Sequence, residues 1–312
     1  MIAKIYILIF LLVSGIQAEA QERVIATFRF VAAFGQPGNG QEQFFQPEGL
    51  ALDAIGNLYV ADTGNHRIQK FDAQGRYVVE VGGFGWDPGQ FNRPIGVAAG
   101  SGLEVYVADS RNNRIQVFDR NLRLLAVVGG KDADGPVEMG NLGGIVVSER
   151  DEVYVSDLDL DQMVQIDSYS RVDRSFGGYG YGDGRLRRPL GLAVDTDGAT
   201  YVCDSENGRV VKFDRFGNFQ RELGKEVLSE PAGVCLGPRG TLVVADLGYH
   251  RVVVFDLKSG EVAGHIGGPE AGKGPMTFHK PRDVVMGKQG TLYILDSGNS
   301  RVQRIQVLVS RK

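Results

Sequence analysis

The sequence predicts an all-β protein, a six-bladed β-propeller built from four-stranded antiparallel blades. Three observations carry that prediction: a unit of four short strands, its return along the chain, and a leftover strand at the beginning. The unit is clearest in residues 45–83, FQPEGLALDAIGNLYVADTGNHRIQKFDAQGRYVVEVGG. It opens on Pro47, runs through Leu50 to Leu52, turns at Asp53–Asn57, and runs again from Leu58 to Asp62. A polar loop leads to Arg67 and a third run, and a turn at Ala73–Gly75 feeds a last run from Tyr77 to Val81. β-Branched and aromatic residues fill the runs, and Gly, Asn and Asp fill the breaks, as strands and turns require.

The aspartate that closes the second strand returns as Asp109, Asp157, Asp204, Asp246 and Asp296, at separations of 42 to 50 residues. The opening proline returns as Pro94, Pro189, Pro231 and Pro281, with Leu142 in its slot in the third unit. A four-stranded repeat of this length is the signature of a propeller blade. One such sheet has two apolar faces that it cannot bury alone; stacking blades around an axis buries both. The units begin near residues 45, 91, 140, 186, 228 and 278.

The leftover strand is Ala26 to Gly35, which resembles a fourth strand without its first three. The sixth unit has Pro281, Asp296, Arg301 and a third strand around Val302–Val307, but lacks a fourth strand. The ring is therefore expected to close by pairing the N-terminal strand, at about 26–35, with the last blade.

Ahead of the propeller (21–312), residues 1–20 carry Lys4, an apolar run from Ile5 to Val13 and a small-x-small pattern at Ala18–Ala20. This is the pattern of a secretory signal peptide cleaved after Ala20. The apolar run falls short of the ~20 residues of a spanning helix. The expectation is a secreted or periplasmic chain with no stable membrane insertion after cleavage, present as a monomer. The net charge of −4, with signs interspersed, provides no basic stripe and argues against nucleic acid. The cysteines, Cys203 and Cys235, occupy slots that are alanine in sister units. Two buried thiols or one disulfide between neighbouring blades both fit that placement.

The pattern Pro-x-Gly, then Leu-Tyr-Val-Ala-Asp, then Gly-Asn-His-Arg-Ile-Gln-Lys-Phe-Asp resembles the NHL repeat family of β-propellers. Residues 59–72 carry it best, followed by 106–119, 201–214 and 244–256. The resemblance implies the propeller fold and leaves function open, because the family includes binding and sensor modules and a peptidyl-hydroxyglycine amidating lyase. That lyase uses histidine-bound zinc with catalytic Arg and Tyr, and this set has no residue-by-residue match here. No catalytic residue is assigned. The function expected is a protein- or ligand-binding scaffold acting through its long-loop face. The alternative is a metal-dependent lyase or hydrolase with its site at the channel mouth.

Three groups of residues are candidates for chemistry. The first is an Asp and an Arg five apart, as in Asp62/Arg67, Asp109/Arg114, Asp204/Arg209, Asp246/Arg251 and Asp296/Arg301. A pair found in nearly every repeat reads as a structural clamp on the loop between strands two and three. The second is the loop Asp157-Leu-Asp159-Leu-Asp161-Gln162, where glutamine replaces the arginine. Its alternating carboxylates admit a structural Ca²⁺ or a solvated acidic loop. An EF-hand is excluded, since Gln162 and Ser168 stand where it needs Gly and Glu. His66 and His250 occupy matching slots and read as loop-packing residues.

The third group sits where the fold collects its long loops. Connections in an up-and-down blade alternate between the two faces, so inter-blade loops share one face with the loops joining strands two and three. Trp86, Tyr179, Tyr181 and Arg185 belong to those loops. Glu48 and Arg282 follow their opening prolines and are placed at the channel mouth, and Asp283 replaces a glycine found in the other five units. Glu48, Arg282 and Asp283 are thus the expected polar floor of a site flanked by the aromatic loops, or a salt bridge pinning the junction of the sixth and first blades.

Overall fold

A computed structural model of the chain describes residues 23–100, 102, 104–130, 139–167 and 171–312. The expected signal peptide, and residues 131–138 of the third inter-blade loop, lie outside the described residues. Among the described residues, no helix is long and apolar enough to cross a membrane.

Six four-stranded antiparallel sheets form the predicted propeller. Blade one runs outward from the axis as Gly49–Leu52, Leu58–Asp62, Arg67–Phe71 and Tyr77–Gly82. The innermost strands of blades two to six are Pro94–Ala99, Leu142–Val147, Pro189–Val194, Pro231–Gly237 and Pro281–Met286. The middle strands are buried at nearly every position, and at all of them in Leu58–Asp62 and Arg67–Phe71, because a neighbouring blade covers each face. The outermost strands are more open, and that of blade one, Tyr77–Gly82, alternates between half-buried and exposed. Phe44, Phe91, Leu186 and Phe278, each ending an inter-blade loop, are fully buried and plug the gaps between blades.

The Pro-x-Gly signature has a packing cause. A Cβ on Gly49 would lie 2.4 Å from the Ile95 carbonyl oxygen of the next blade, and one on Gly144 would lie 2.5 Å from that of Leu190. Near the axis the inner strands converge until only a hydrogen fits between them. In the sixth blade Asp283 stands in this slot, and that junction has to accommodate a side chain.

The ring closes as expected, with a longer ribbon than the sequence implied. Val24–Phe34 pairs antiparallel with Arg301–Arg311, from Val24 opposite Arg311 to Phe34 opposite Val302. The Arg23 N–H donates to the Lys312 carbonyl at 2.7 Å, and the Lys312 N–H donates back at 3.0 Å. The extension has its own burial: Val24, Ala26 and Val307 join one core cluster with Val252, Val254 and Ala263 of blade five.

Deleting residues 24–34 would leave Arg301–Arg311 as an open edge and uncover that cluster. Its melting temperature is expected to fall by at least about 10 °C, from roughly 2–4 °C per kcal/mol lost. Calorimetry of the truncated chain checks this, and an unchanged melting temperature would refute closure by this strand.

Candidate functional site

The recurring aspartates accept hydrogen bonds on both carboxylate oxygens. Asp62, Asp109, Asp157, Asp204, Asp246 and Asp296 are all fully buried. In blade two, one Asp109 oxygen accepts the Asn92 N–H at 2.7 Å, fixing the segment that enters the innermost strand. The other accepts from Asn112 Nδ2 at 2.8 Å and Arg114 Nε at 2.7 Å. Arg114 then donates to the carbonyls of Trp86, Asp87 and Gln90 in the inter-blade loop. Arg67, Arg209 and Arg301 reach back to loop carbonyls in the same way. Burial pushes the Asp109 and Asp204 carboxyls up, while their Asn, Arg and backbone donors pull them down. Each Asp–Arg pair therefore holds a long loop onto its blade, which is the structural role expected of it.

Histidine and the odd acidic loop share a second task. Arg93, Arg188 and Lys280, directly before the opening prolines, adopt left-handed φ values of 60°, 51° and 53°. That conformation is uncommon for non-glycine residues and is disfavoured before proline. Each is held by its N–H, donated to His66 Nδ1 at 3.1 Å, to Asp161 Oδ1 at 2.6 Å and to His250 Nδ1 at 3.2 Å. His66 and His250 are thus loop-packing residues, and Asp161 is their counterpart in blade three. Asp157 accepts the N–H groups of Gly140, Asp159 and Leu160, and Asp159 grips the backbone N–H and side-chain amide of Asn141. The three carboxylates proposed as Ca²⁺ ligands are directed at separate amides. Among the described residues, no three His, Cys, Asp or Glu side chains converge as a metal site.

At the axis, the structure brings Glu48, Arg282 and Asp283 together in the wall of one cavity of about 310 Å³. Glu48 takes Arg93 Nη2 at 2.7 Å and, more loosely, Arg282 Nη2 at 3.4 Å. The salt bridge across the sixth and first blades therefore exists, and the shorter pairing of Glu48 is with Arg93 at the entry to blade two. Arg93 escaped sequence reasoning, although a charge beside each opening proline was a visible signal; Arg188 pairs with Glu230 of the following blade in the same manner. Asp283 stands apart from the ion pair: its carboxylate accepts the Leu50 and Val284 N–H groups, both at 2.8 Å. Burial pushes its pKa from 3.8 up to about 7, against the pull of those two N–H groups. Cys203 and Cys235 are free thiols, both driven up by burial first and by Asp283 second.

The aromatic loops lie on the same face but do not line this cavity. Trp86, Tyr179 and Tyr181 are 64%, 65% and 67% exposed. The Trp86 ring packs edge-on against Phe84, which packs against His66. Arg187 stacks on Tyr179 and Tyr181, with its guanidinium 4.8 Å from the Tyr181 ring centre, and donates to Tyr181 Oη at 2.8 Å. Arg185 caps the Gly177 carbonyl at 3.2 Å. The expected single site is thus two places: a polar channel mouth, and an aromatic rim held by His66 and Arg187.

The Asp283 carboxyl makes the stability of the ring depend on pH. The folded protein holds this proton more tightly than the unfolded chain, so its contribution is complete at low pH and is lost as pH rises. The loss falls between roughly pH 4 and pH 7, at about 1.4 kcal/mol per pH unit. Subtracting the urea-melt stability of Asp283→Asn from that of the wild type isolates this effect. The difference is expected to move against the wild type across that window and level off above it; a pH-independent difference would contradict the assignment.

Comparison with known proteins agrees with this geometry. A family model described as the NHL repeat matches residues 44–71, 91–118, 186–213, 228–255 and 278–305. The Drosophila melanogaster protein brain tumor is 27% identical over 191 residues, 61% of this chain and 14% of that protein. The Caenorhabditis elegans B-box type zinc finger protein ncl-1 is 34% identical over 190 residues, 61% of this chain and 16% of that protein. The chain therefore spans less than a fifth of these relatives. Among solved structures, a virginiamycin B lyase from Staphylococcus aureus superposes with a TM-score of 0.61 at 12% identity, covering 92% of this chain and 100% of that one. A Bacteroides thetaiotaomicron protein of unknown function superposes at 0.68 with 16% identity, covering 92% of this chain and 77% of that one. Both likenesses bear on fold alone. With five matched repeats and a sixth blade completed by its own N-terminal strand, the chain belongs to the NHL repeat family of β-propellers.

Proposed function

We propose that this protein is an exported, monomeric binding module whose partner is a protein docked on the long-loop face. The observation that carries the reading is the placement of exposed aromatic side chains. Phe45, Phe84, Trp86, Tyr179, Tyr181 and Tyr249 lie on that face, and Phe216 is the exposed aromatic on the other, among the described residues. Aromatic rings supply large contact area at little entropic cost, and they dominate binding at protein interfaces. These rings are already fixed: Trp86 through Phe84, the tyrosines through Arg187, and Tyr249 against Arg251. A groove of about 420 Å³ opens beside Trp86, walled by Pro88, Arg111 and Val127. In the two curated relatives the matched region is a small part of a much longer chain, the setting of a recognition module.

The test is the double variant Trp86→Ala/Tyr181→Ala. Both side chains are exposed, so the melting temperature is expected to hold. Binding to proteins recovered by affinity isolation with the wild type is expected to weaken by roughly 30-fold or more, the cost of losing an interface hot spot. Retention of binding by this variant, with loss in Phe216→Ala on the opposite face, would reverse the assignment.

A further inference from the structure

We propose that the central channel is a binding site for a small organic cation, an ammonium group on an apolar body, with Asp283 as its counter-charge. The site is separate from the aromatic rim and does not depend on the docking reading above. Every blade contributes inner-strand residues to the wall, and among them are the half-buried apolar side chains Leu52, Ile95, Val146, Val194, Leu236 and Val285. A volume of about 310 Å³ lies at the small end of ligand pockets, which span roughly 300–1,000 Å³. Among the described residues, the charged members of that wall are Glu48, Arg282 and Asp283.

Their charges are not equivalent. Glu48 is neutralised by Arg93 and Arg282. Asp283 accepts two backbone N–H groups and, among the described residues, has no basic side chain within ion-pair distance. Half-burying a carboxylate without a cation is costly, and the other five blades use glycine in this slot without loss of the fold. A residue that breaks the repeat rule at the ring's axis, at a cost in stability, matches the way functional sites depart from local optimality.

The chemistry of the surroundings selects the ligand class. A hard metal ion needs several oxygen donors. Here each Asp283 oxygen already takes an N–H, and the described side chains around it offer no further set of oxygen donors. A single ammonium needs one carboxylate, and its carbon body gains from the apolar wall. The groups facing Asp283 are Glu48 and Arg282 at the mouth, and Cys203 and Cys235 from blades four and five. Burial keeps both thiols neutral, so Asp283 is the member of this set that changes charge near neutrality. An ammonium ligand binds the ionised carboxylate, and its affinity rises as pH is raised through 7.

Calorimetric titration with hexylamine, hexanol and hexanoate tests the proposal on the wild type, Asp283→Asn and Asp283→Gly. The glycine variant restores the residue of the other five blades and keeps the test valid if asparagine perturbs the fold. On the wild type, hexylamine is expected to bind at least tenfold tighter at pH 8 than at pH 5.5, and at least tenfold tighter than hexanol or hexanoate at pH 8. Both variants are expected to lose that preference while still taking hexanol equally at both pH values. Trp86→Ala/Tyr181→Ala is expected to bind hexylamine as the wild type does. The proposal is overturned if hexanol or hexanoate matches hexylamine, if either Asp283 variant keeps the amine preference, or if hexylamine fails to bind the wild type at millimolar concentration.

Discussion

A buried carboxylate at the end of the second strand of every blade is the interaction on which the rest of this propeller depends. Asp62 shows the arrangement: one oxygen accepts the Phe45 N–H at 2.7 Å, and the other takes Asn65 Nδ2, Arg67 Nε and Gln69 Nε2. Burying such an ion pair is expensive, and it is tolerated because nearly every donor and acceptor finds a partner. The arginine then spends its remaining N–H groups on carbonyls of the inter-blade loop. A loop of ten or so residues with many glycines is thereby held in one conformation, on one face. The aromatic rim exists because those loops are fixed, and the inner strands converge on the axis because the segment entering each is fixed at the same point.

Two further constraints follow from that geometry. The convergence of inner strands leaves room for only a hydrogen beside the neighbouring carbonyl, which confines the slot to glycine in five blades. It also places the residue after each opening proline at the channel mouth, where side chains of adjacent blades meet. Residues flanking the opening prolines also clasp adjacent blades, as in the pairing of Glu48 with Arg93 and of Arg188 with Glu230. Asp283 is exceptional on both counts. It fills the glycine slot, and it satisfies its carboxylate with backbone amides of its own blade and of blade one instead of a basic side chain.

Much of this was legible in the sequence, for physical reasons that differ between features. The recurrence of the aspartate closing the second strand gave the blade number, and the unmatched strand Ala26–Gly35 disclosed the closure, because backbone pairing leaves a countable remainder. The departure at Asp283 was visible for the same reason, as an exception to a repeat. The clip formed by His66, Asp161 and His250 was not, since histidine and aspartate do one job there and the shared feature is a left-handed backbone just before the next blade's opening proline. The acidic run in blade three suggested a cation site because alternation along the chain says nothing of direction in space, and its carboxylates turn to separate amides. Grouping Trp86 and Tyr181 with the channel mouth failed for a related reason. Topology assigns loops to a face but not to a radius, and these loops stand away from the axis.

The central claim is that the buried aspartate organises the long-loop face locally, beyond adding to global stability. Hydrogen exchange on Asp204→Ala tests it most directly, because the Arg187 N–H is held by Asp204 at 2.7 Å and Arg209 ties the same loop through Gly182 and Arg185. Amides of residues 178–188 are expected to lose at least tenfold in protection, while Thr200–Asp204 and Arg209–Phe213 keep theirs. Loop amides that stay protected, or a blade whose strands lose protection in equal measure, would contradict the account.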